Sequence, residues 1–399
     1  MRRWWARGFA RQLILVSAAG LAVRVGYVLL FRTDMTLIGN DAFVYHVGAE
    51  LLADGYGFIE PLGAVGLLPP EESATHPPLF FLWLAAASLV DPGGASLTLH
   101  LLWSCVLGTA TVVVCGLVGR VVAGRRCGVV AAAVAAIYPN VWVHDGMLLS
   151  ETMALFTASL VLLTAYRFWR RPSAWWAAGL GLSCGLAALS RSELVLTLLL
   201  VLVPSVLLAR AAFTDRLRWL VAGGAAAALA LGPWVVFNLS RFEEPVYLST
   251  NFGRTLAAAN CDAVYQGDRI GFKDYNCIRR YAAAAGVTEE MDESQLDSAV
   301  RQEVSRYLRA NRDRLPVVVA ARMGRIAGVY RPADDIDFDV FYAERERPLS
   351  QAAVYSYYPV AALALAGAVV LRRRRVPVFP LAALPAIVLI GVGLTFAQT

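Results

Sequence analysis

Asp41, Tyr45, Gly48 and Leu52 recur at helical spacing in the stretch IGNDAFVYHVGAELLADGYGFIEP, so one short helix presents the Asp41 carboxyl and the Tyr45 hydroxyl on one face. An aspartate so placed is either a general base or the N-cap of the helix that Asn40 and Asp41 open. From Arg32 to Asp91 the chain holds eight carboxylates and one basic residue, Arg32 itself. Further along, YPNVWVHDGMLLSETM carries Asp145 in a turn and Glu151 about one helical turn into an apolar run, where a carboxylate is costly and marks function. Asp145 sits nearer solvent and reads as a turn or cap aspartate able to substitute for Glu151. The link SRSE supplies Arg191, a cation whose alternative role is an ion pair with Glu193 across the turn. Arg24, inside the first apolar run, could snorkel outward to the same depth. Of the histidines, His76 precedes two prolines and could donate a hydrogen bond to an anion. His46 points off the Asp41 face and reads as structural.

The elements that must position these residues are membrane helices. With 399 residues, 58% hydrophobic and 17% charged, and a mean hydropathy of +0.56, the chain has more apolar side chain than a soluble globule hides. Apolar runs near 12–31, 97–119, 128–144, 148–167, 174–190, 194–209, 219–237, 352–371 and 376–396 suggest nine spans. The first lacks a small-residue cleavage site and reads as a retained anchor. Arginine clusters at the N-terminus, 120–126, 167–171, 210–218 and 372–375 occupy every second link, which makes them cytoplasmic. Of 30 acidic residues only Asp215 then lies inside, and Arg191 is the one basic residue in a short outer link. The net charge of +6 follows from topology and does not imply nucleic acid. Pro77 to Val90 is too short to cross and is expected to lie at the outer interface.

The polar region Asn238 to Ser350 is nearly balanced, with 16 basic and 18 acidic residues, and is expected to fold outside. Ser294 to Arg314 has an amphipathic helical pattern, with Asp292 and Glu293 before it. Leu315 to Tyr330 is apolar but holds Arg322 and Arg325, and is assigned to the interface. Cys261 and Cys277 are the two cysteines of this region and, outside the cell, are expected to pair. The expected organisation is a transmembrane module over 1–237 with an outer loop at 32–96, an outer soluble region at 238–351, and a C-terminal transmembrane hairpin at 352–399.

The ordered set Asp41 with Tyr45, HPPL from His76, SET at Glu151, GLAALSRSE at Arg191, and GPWVVF followed by STNFGR resembles C-type glycosyltransferases. These membrane enzymes use polyprenyl-phosphate sugars, and the likeness is greatest to the protein-mannosyltransferase-like branch that includes bacterial aminoarabinose transferases. The resemblance implies an all-α polytopic fold and an inverting transfer to a protein, lipid or glycan acceptor at the periplasmic face of a bacterial cytoplasmic membrane. It implies Asp41 as the base, Glu151 as the second outer acid, and Arg191 opposing charge on the departing phosphate. No cofactor is firmly implied; Asp41 with Glu151 could hold a divalent cation, Mg or Mn. The departures are His76 before the prolines and the end at GVGLTFAQT, where related enzymes continue, so the chain is either a short member or a shortened one. The rival functions are a lipid-linked-sugar flippase, against which no matched halves or broken helices stand out, and a non-catalytic subunit with the same fold.

Overall fold

The computed structural model describes residues 2–35, 37, 40–64, 71–91, 94–288, 290–342 and 344–394. The chain end after Leu394, the link 65–70, and Ile38 and Gly39 ahead of Asp41 lie outside the described residues. In chain order the helices begin with α1 (Arg2–Tyr27), prolonged by a π turn at Val28–Arg32, then α2 (Asp41–Ala53), α3 (Pro61–Ala64), α4 (Leu79–Ser88) and α5 (Leu97–Ala123). Next come α6 (Arg125–Ile137), α7 (Pro139–Trp142) running into a 3-10 turn at Val143–Gly146, α8 (Glu151–Arg170), α9 (Ala174–Ser190), α10 (Val203–Leu207) and α11 (Phe213–Leu239). They are followed by α12 (Phe252–Ala259), α13 (Asp262–Tyr265), α14 (Asn276–Ala284), α15 (Glu293–Ala310), α16 (Leu315–Ile326), α17 (Pro332–Tyr342), α18 (Arg347–Arg373) and α19 (Phe379–Leu394). Among the described residues there is no strand element.

Gly8–Arg32, Leu97–Ala123, Glu151–Arg170, Phe213–Leu239 and Arg347–Arg373 are long and apolar enough to cross a membrane. Arg125–Ile137 with Pro139–Gly146, bent by 71°, adds a sixth if the pair is one broken span rather than a re-entrant loop. The bend has a local cause: Tyr138 turns to extended backbone, as a residue before proline prefers, and Pro139 opens the next helix. The chain is a multi-pass membrane protein. Ala174–Ser190, Ser192–Leu207 and Phe379–Gly391 are apolar but shorter. The 17 residues of α9 rise about 26 Å against a hydrocarbon core of about 30 Å. Length and composition therefore reach five or six spans and leave the expected nine a matter of how these three short helices sit.

The chain divides into two compact units, one of Met1–Pro70, Pro78–Leu231 and Gln351–Ala383, the other of Glu71–Pro77, Gly232–Ser350 and Leu384–Thr399. In the first, α5 packs against α1, α6 and α8. It meets α6 backbone to backbone, where a Cβ on Gly128 would lie 2.6 Å from the Gly116 carbonyl; small residues let apolar helices approach this closely. Phe80, Phe81 and Leu84 of α4 are buried with Ala42, Tyr45 and Ala49 of α2 in one apolar cluster, which fixes the face that α2 turns outward.

In the second unit, α15 starts on a capping box, Asp292 accepting from Gln295 N while the Gln295 side chain accepts from Asp292 N. The next residue, Glu293, accepts from Ser73 Oγ at 2.7 Å, Ala74 N at 2.9 Å, Thr75 Oγ1 at 2.9 Å and Thr250 Oγ1 at 2.6 Å. This grip explains why 71–77, which the sequence places in the outer loop of the first module, belongs to the second unit. On α16, Arg322 and Arg325 are both buried: Arg322 donates to Ala259 O and Asn260 Oδ1, and Arg325 to Ile270 O and Asp268 O and pairs with Asp334. These two arginines thus anchor the helix to the loop beside it.

Cys261 and Cys277 are bonded, 16 residues apart, at the centre of an apolar cluster with Val264, Tyr265, Phe272 and Val318. Closing a loop of this size contributes about 3 kcal/mol in the chain-entropy picture. Replacing both cysteines by serine is expected to lower the second unit's stability by that order, and a non-reduced digest of the parent should yield the linked peptide pair. Two free, alkylated thiols in the parent would contradict the bond.

Candidate active site

The sequence leaves Asp41 a choice between cap and base, and the cap is Asn40: its side chain accepts from Phe43 N at 3.0 Å. Asp41 is the first helical residue and stands exposed. One turn on, Tyr45 is 1% exposed, its ring 5.0 Å from Phe80 and 4.8 Å from Phe81, centroid to centroid. Burial pushes its phenol well above the ordinary value, with the Asp41 charge adding to the effect and a hydrogen bond from Ser150 opposing it. Glu151 and Arg191 also act on this hydroxyl, so the start of α8 and the end of α9 bring Glu151 and Arg191 to Tyr45 of α2, with Asp41 one helical turn before it.

Arg191 follows the last residue of α9 in extended backbone. Its Nη1 donates to Glu151 and its Nε to Glu193 Oε1 at 2.7 Å, all three side chains being 24 to 34% exposed. The pair with Glu193 is therefore present, and Glu151 joins it. Two carboxylates engage two of the guanidinium's five N–H groups and fix its plane. His144, half-buried, is close enough to act on the Glu151 charge.

Behind the cluster lies a second ionic group, and here the structure corrects the sequence reading twice. Asp145 is not nearer solvent than Glu151 but 1% exposed, and Arg24 does not snorkel. Arg24 Nε donates to Asp145 Oδ2 at 2.6 Å, and the rest of the guanidinium donates to the carbonyls of Gly20, Ala135 and Ala136 at 3.0 to 3.1 Å. Asp145 also accepts from Thr152 Oγ1 at 2.9 Å. The physical reason is the bend at Pro139, which turns the 3-10 segment toward α1. Arg32 Nε holds the Gly146 carbonyl at 3.0 Å, and the Tyr27 and Trp142 rings meet edge to face at 5.2 Å. Space for the carboxylate exists because α5 has glycine there: a Cβ on Gly108 would fall 1.9 Å from Asp145 Oδ2.

Sequence reasoning missed the turn that delivers Glu151. Leu148 has φ +53° with its side chain fully buried beside Tyr45 and Phe80. A non-glycine residue there costs of order 1–3 kcal/mol and persists only where its surroundings enforce it. His76 belongs to the second unit, half-buried in the segment that Glu293 holds.

Neither a family model nor a curated protein sequence matches the chain. Among solved structures it is similar to ArnT from Cupriavidus metallidurans bound to undecaprenyl phosphate, at 16% identity and a TM-score of 0.45, covering 100% of this chain and 76% of that one. A likeness of that size leaves the reaction to be argued from the site.

Removing one partner of a buried ion pair leaves an uncompensated charge, at a cost of about 3–5 kcal/mol. Asp145→Ala is accordingly expected to lower thermal stability in detergent by several degrees. A melting curve that superimposes on the parent's would show that Arg24 finds its stability elsewhere.

Proposed function

We propose that the chain is an inverting glycosyltransferase that moves one sugar from a polyprenyl-phosphate donor to an acceptor hydroxyl or amine on the outer face of the cytoplasmic membrane. What supports the reading is the convergence of Tyr45, Glu151 and Arg191, with Asp41 one turn before Tyr45 on the same helix, drawn from three of the segments that resemble this class of enzyme. In the proposed setting all nine apolar runs cross, the arginine clusters face the cytoplasm, and the site opens outward beside the lipid. The acceptor class stays open among protein, lipid-linked glycan and polysaccharide, as does the branch of the family.

In the proposed step the Asp41 carboxylate takes the acceptor's proton as the acceptor oxygen or nitrogen attacks the anomeric carbon. The bond from that carbon to the phosphate oxygen breaks with it, its electron pair leaving on polyprenyl phosphate, and the configuration inverts. Arg191 opposes the negative charge that grows on the phosphate, and Glu151 with Glu193 hold the guanidinium for that task. Tyr45 puts a neutral, buried phenol one turn from Asp41. Arg24 and Asp145, saturated by each other and by backbone carbonyls, act as positioning residues.

Asp41→Asn is expected to cut transfer by roughly 10²–10⁴-fold, the usual loss for a general base, with donor binding and expression close to the parent's. Turnover within a few-fold of the parent would remove Asp41 from the mechanism. Arg191→Ala is expected to weaken donor binding and slow turnover, and Arg191→Lys to recover only part, because lysine keeps the charge and loses the planar fork. Equal donor affinity in parent and alanine variant would reduce Arg191 to an ion-pair partner of the two glutamates.

A further inference from the structure

On the same helix as Asp41, but on the neighbouring face, His46 and Glu50 stand one turn apart and meet His100 from the first turn of α5. His100 is fully buried, and His46 and Glu50 are half-buried. The two imidazoles face each other, Nδ1 to Nδ1, at 2.9 Å, with their rings nearly perpendicular at 78°. Ser88 Oγ donates to Glu50 Oε1 at 2.6 Å, and Ala95 N donates to both Glu50 oxygens at 3.1 Å. His100 Nε2 lies 3.0 Å from Ser88 Oγ and 3.6 Å from Glu50 Oε1.

The protons in this network can be counted. The single Ser88 proton goes to Glu50, so the bond between Ser88 Oγ and His100 must use the proton on His100 Nε2. A neutral His100 then has a lone pair on Nδ1, aimed at a second imidazole nitrogen. An imidazole oriented in this way, its far N–H held by a hydroxyl that is itself held by a carboxylate, has the arrangement of a metal ligand with its supporting shell. Two imidazole nitrogens on a tetrahedral ion, each about 2.0–2.1 Å from it, stand about 3.3 Å apart, a few tenths beyond the observed separation. One ligand atom from each of His46, Glu50 and His100 lies within 4.8 Å of the other two, and Glu50 Oε2, which accepts from Ala95 N, has a second lone pair for an ion.

We propose that His46, Glu50 and His100 form a binding site for a divalent transition metal ion of the zinc class. Two nitrogen donors and one carboxylate suit zinc, whereas calcium and magnesium want oxygen ligands throughout. The ion would tie the middle of α2 to the start of α5, with Ser88 at the end of α4 as its supporting shell. It would fix the helix that carries Asp41 and Tyr45 without touching substrate, and it stands independently of the transferase reading.

The test uses the full chain purified in detergent, its affinity tag removed, equilibrated with micromolar zinc and then freed of unbound metal. Elemental analysis should find one zinc per chain, and cobalt in its place should give the visible bands of a tetrahedral nitrogen and oxygen site. His46→Gln and His100→Gln are expected to lose the ion, and Glu50→Gln, which keeps an oxygen for Ala95 N, to bind it at least about tenfold more weakly. His76→Gln should retain it. Because the loss of buried His100 can unfold the outer loop, the half-buried His46 variant, checked by gel filtration, decides. A parent that takes up neither zinc nor cobalt would overturn the site and leave a hydrogen-bonded chain ending on Glu50. Zinc held equally by parent, His46→Gln and Glu50→Gln would overturn it as well.

Discussion

The ion pair between Arg24 and Asp145 is the interaction on which the geometry of the candidate site depends. Both groups are out of water, where a lone charge costs several kcal/mol, so each is tolerable only beside the other. The pair joins α1 to the segment that follows the Pro139 bend, and Thr152 carries the connection into the first turn of α8. Glu151 precedes Thr152, so the carboxylate that holds Arg191 takes its position from a contact made one residue away. Gly108 is part of the same constraint, because any side chain there would occupy the space of the Asp145 carboxyl.

Charge at the site follows from this frame. Arg191 is shared by Glu151 and Glu193, and Asp41 stands one helical turn from the Tyr45 that they surround. An arginine restrained at two of its donors keeps a defined direction for the rest, which suits recognition of a tetrahedral anion better than a mobile side chain does. Tyr45 acts in the opposite sense. Packed between Phe80 and Phe81 and kept neutral, it gives α2 a rigid seat, so that Asp41 projects from a fixed helix end and not from a loop.

Much of this was legible in the sequence because it rests on local spacing or on violations of a local rule. Asp41 and Tyr45 are four residues apart, Glu151 is an acid in an apolar run, and Arg191 is a cation in a link that the charge pattern assigns to the outer side; the structure brings Tyr45, Glu151 and Arg191 together. What the sequence did not disclose depends on contacts distant in the chain. Arg24 finds Asp145 across 121 residues, and Glu293 reaches Ser73 across 220, so neither partner is visible from its own neighbourhood. The inward turn of Asp145 required the bend that Pro139 marks, inside a run read from hydropathy as one span, and a buried leucine with positive φ, for which apolar sequence carries no signal. The short helices α9 and α19 show the converse limit: hydropathy marks them as apolar runs, but their length alone does not carry them across a bilayer.

The proposed chemistry is tested most directly by the fate of the donor's phosphate. Purified protein would be given polyprenyl-phosphate sugars with candidate acceptors, and free polyprenyl phosphate measured beside the glycosylated product. The transferase reading predicts release of one polyprenyl phosphate for each sugar transferred, with the anomeric configuration inverted. Movement of the intact lipid-linked sugar across a vesicle membrane with no phosphate released would contradict it, and would make the chain a carrier of the molecule it is proposed to cleave.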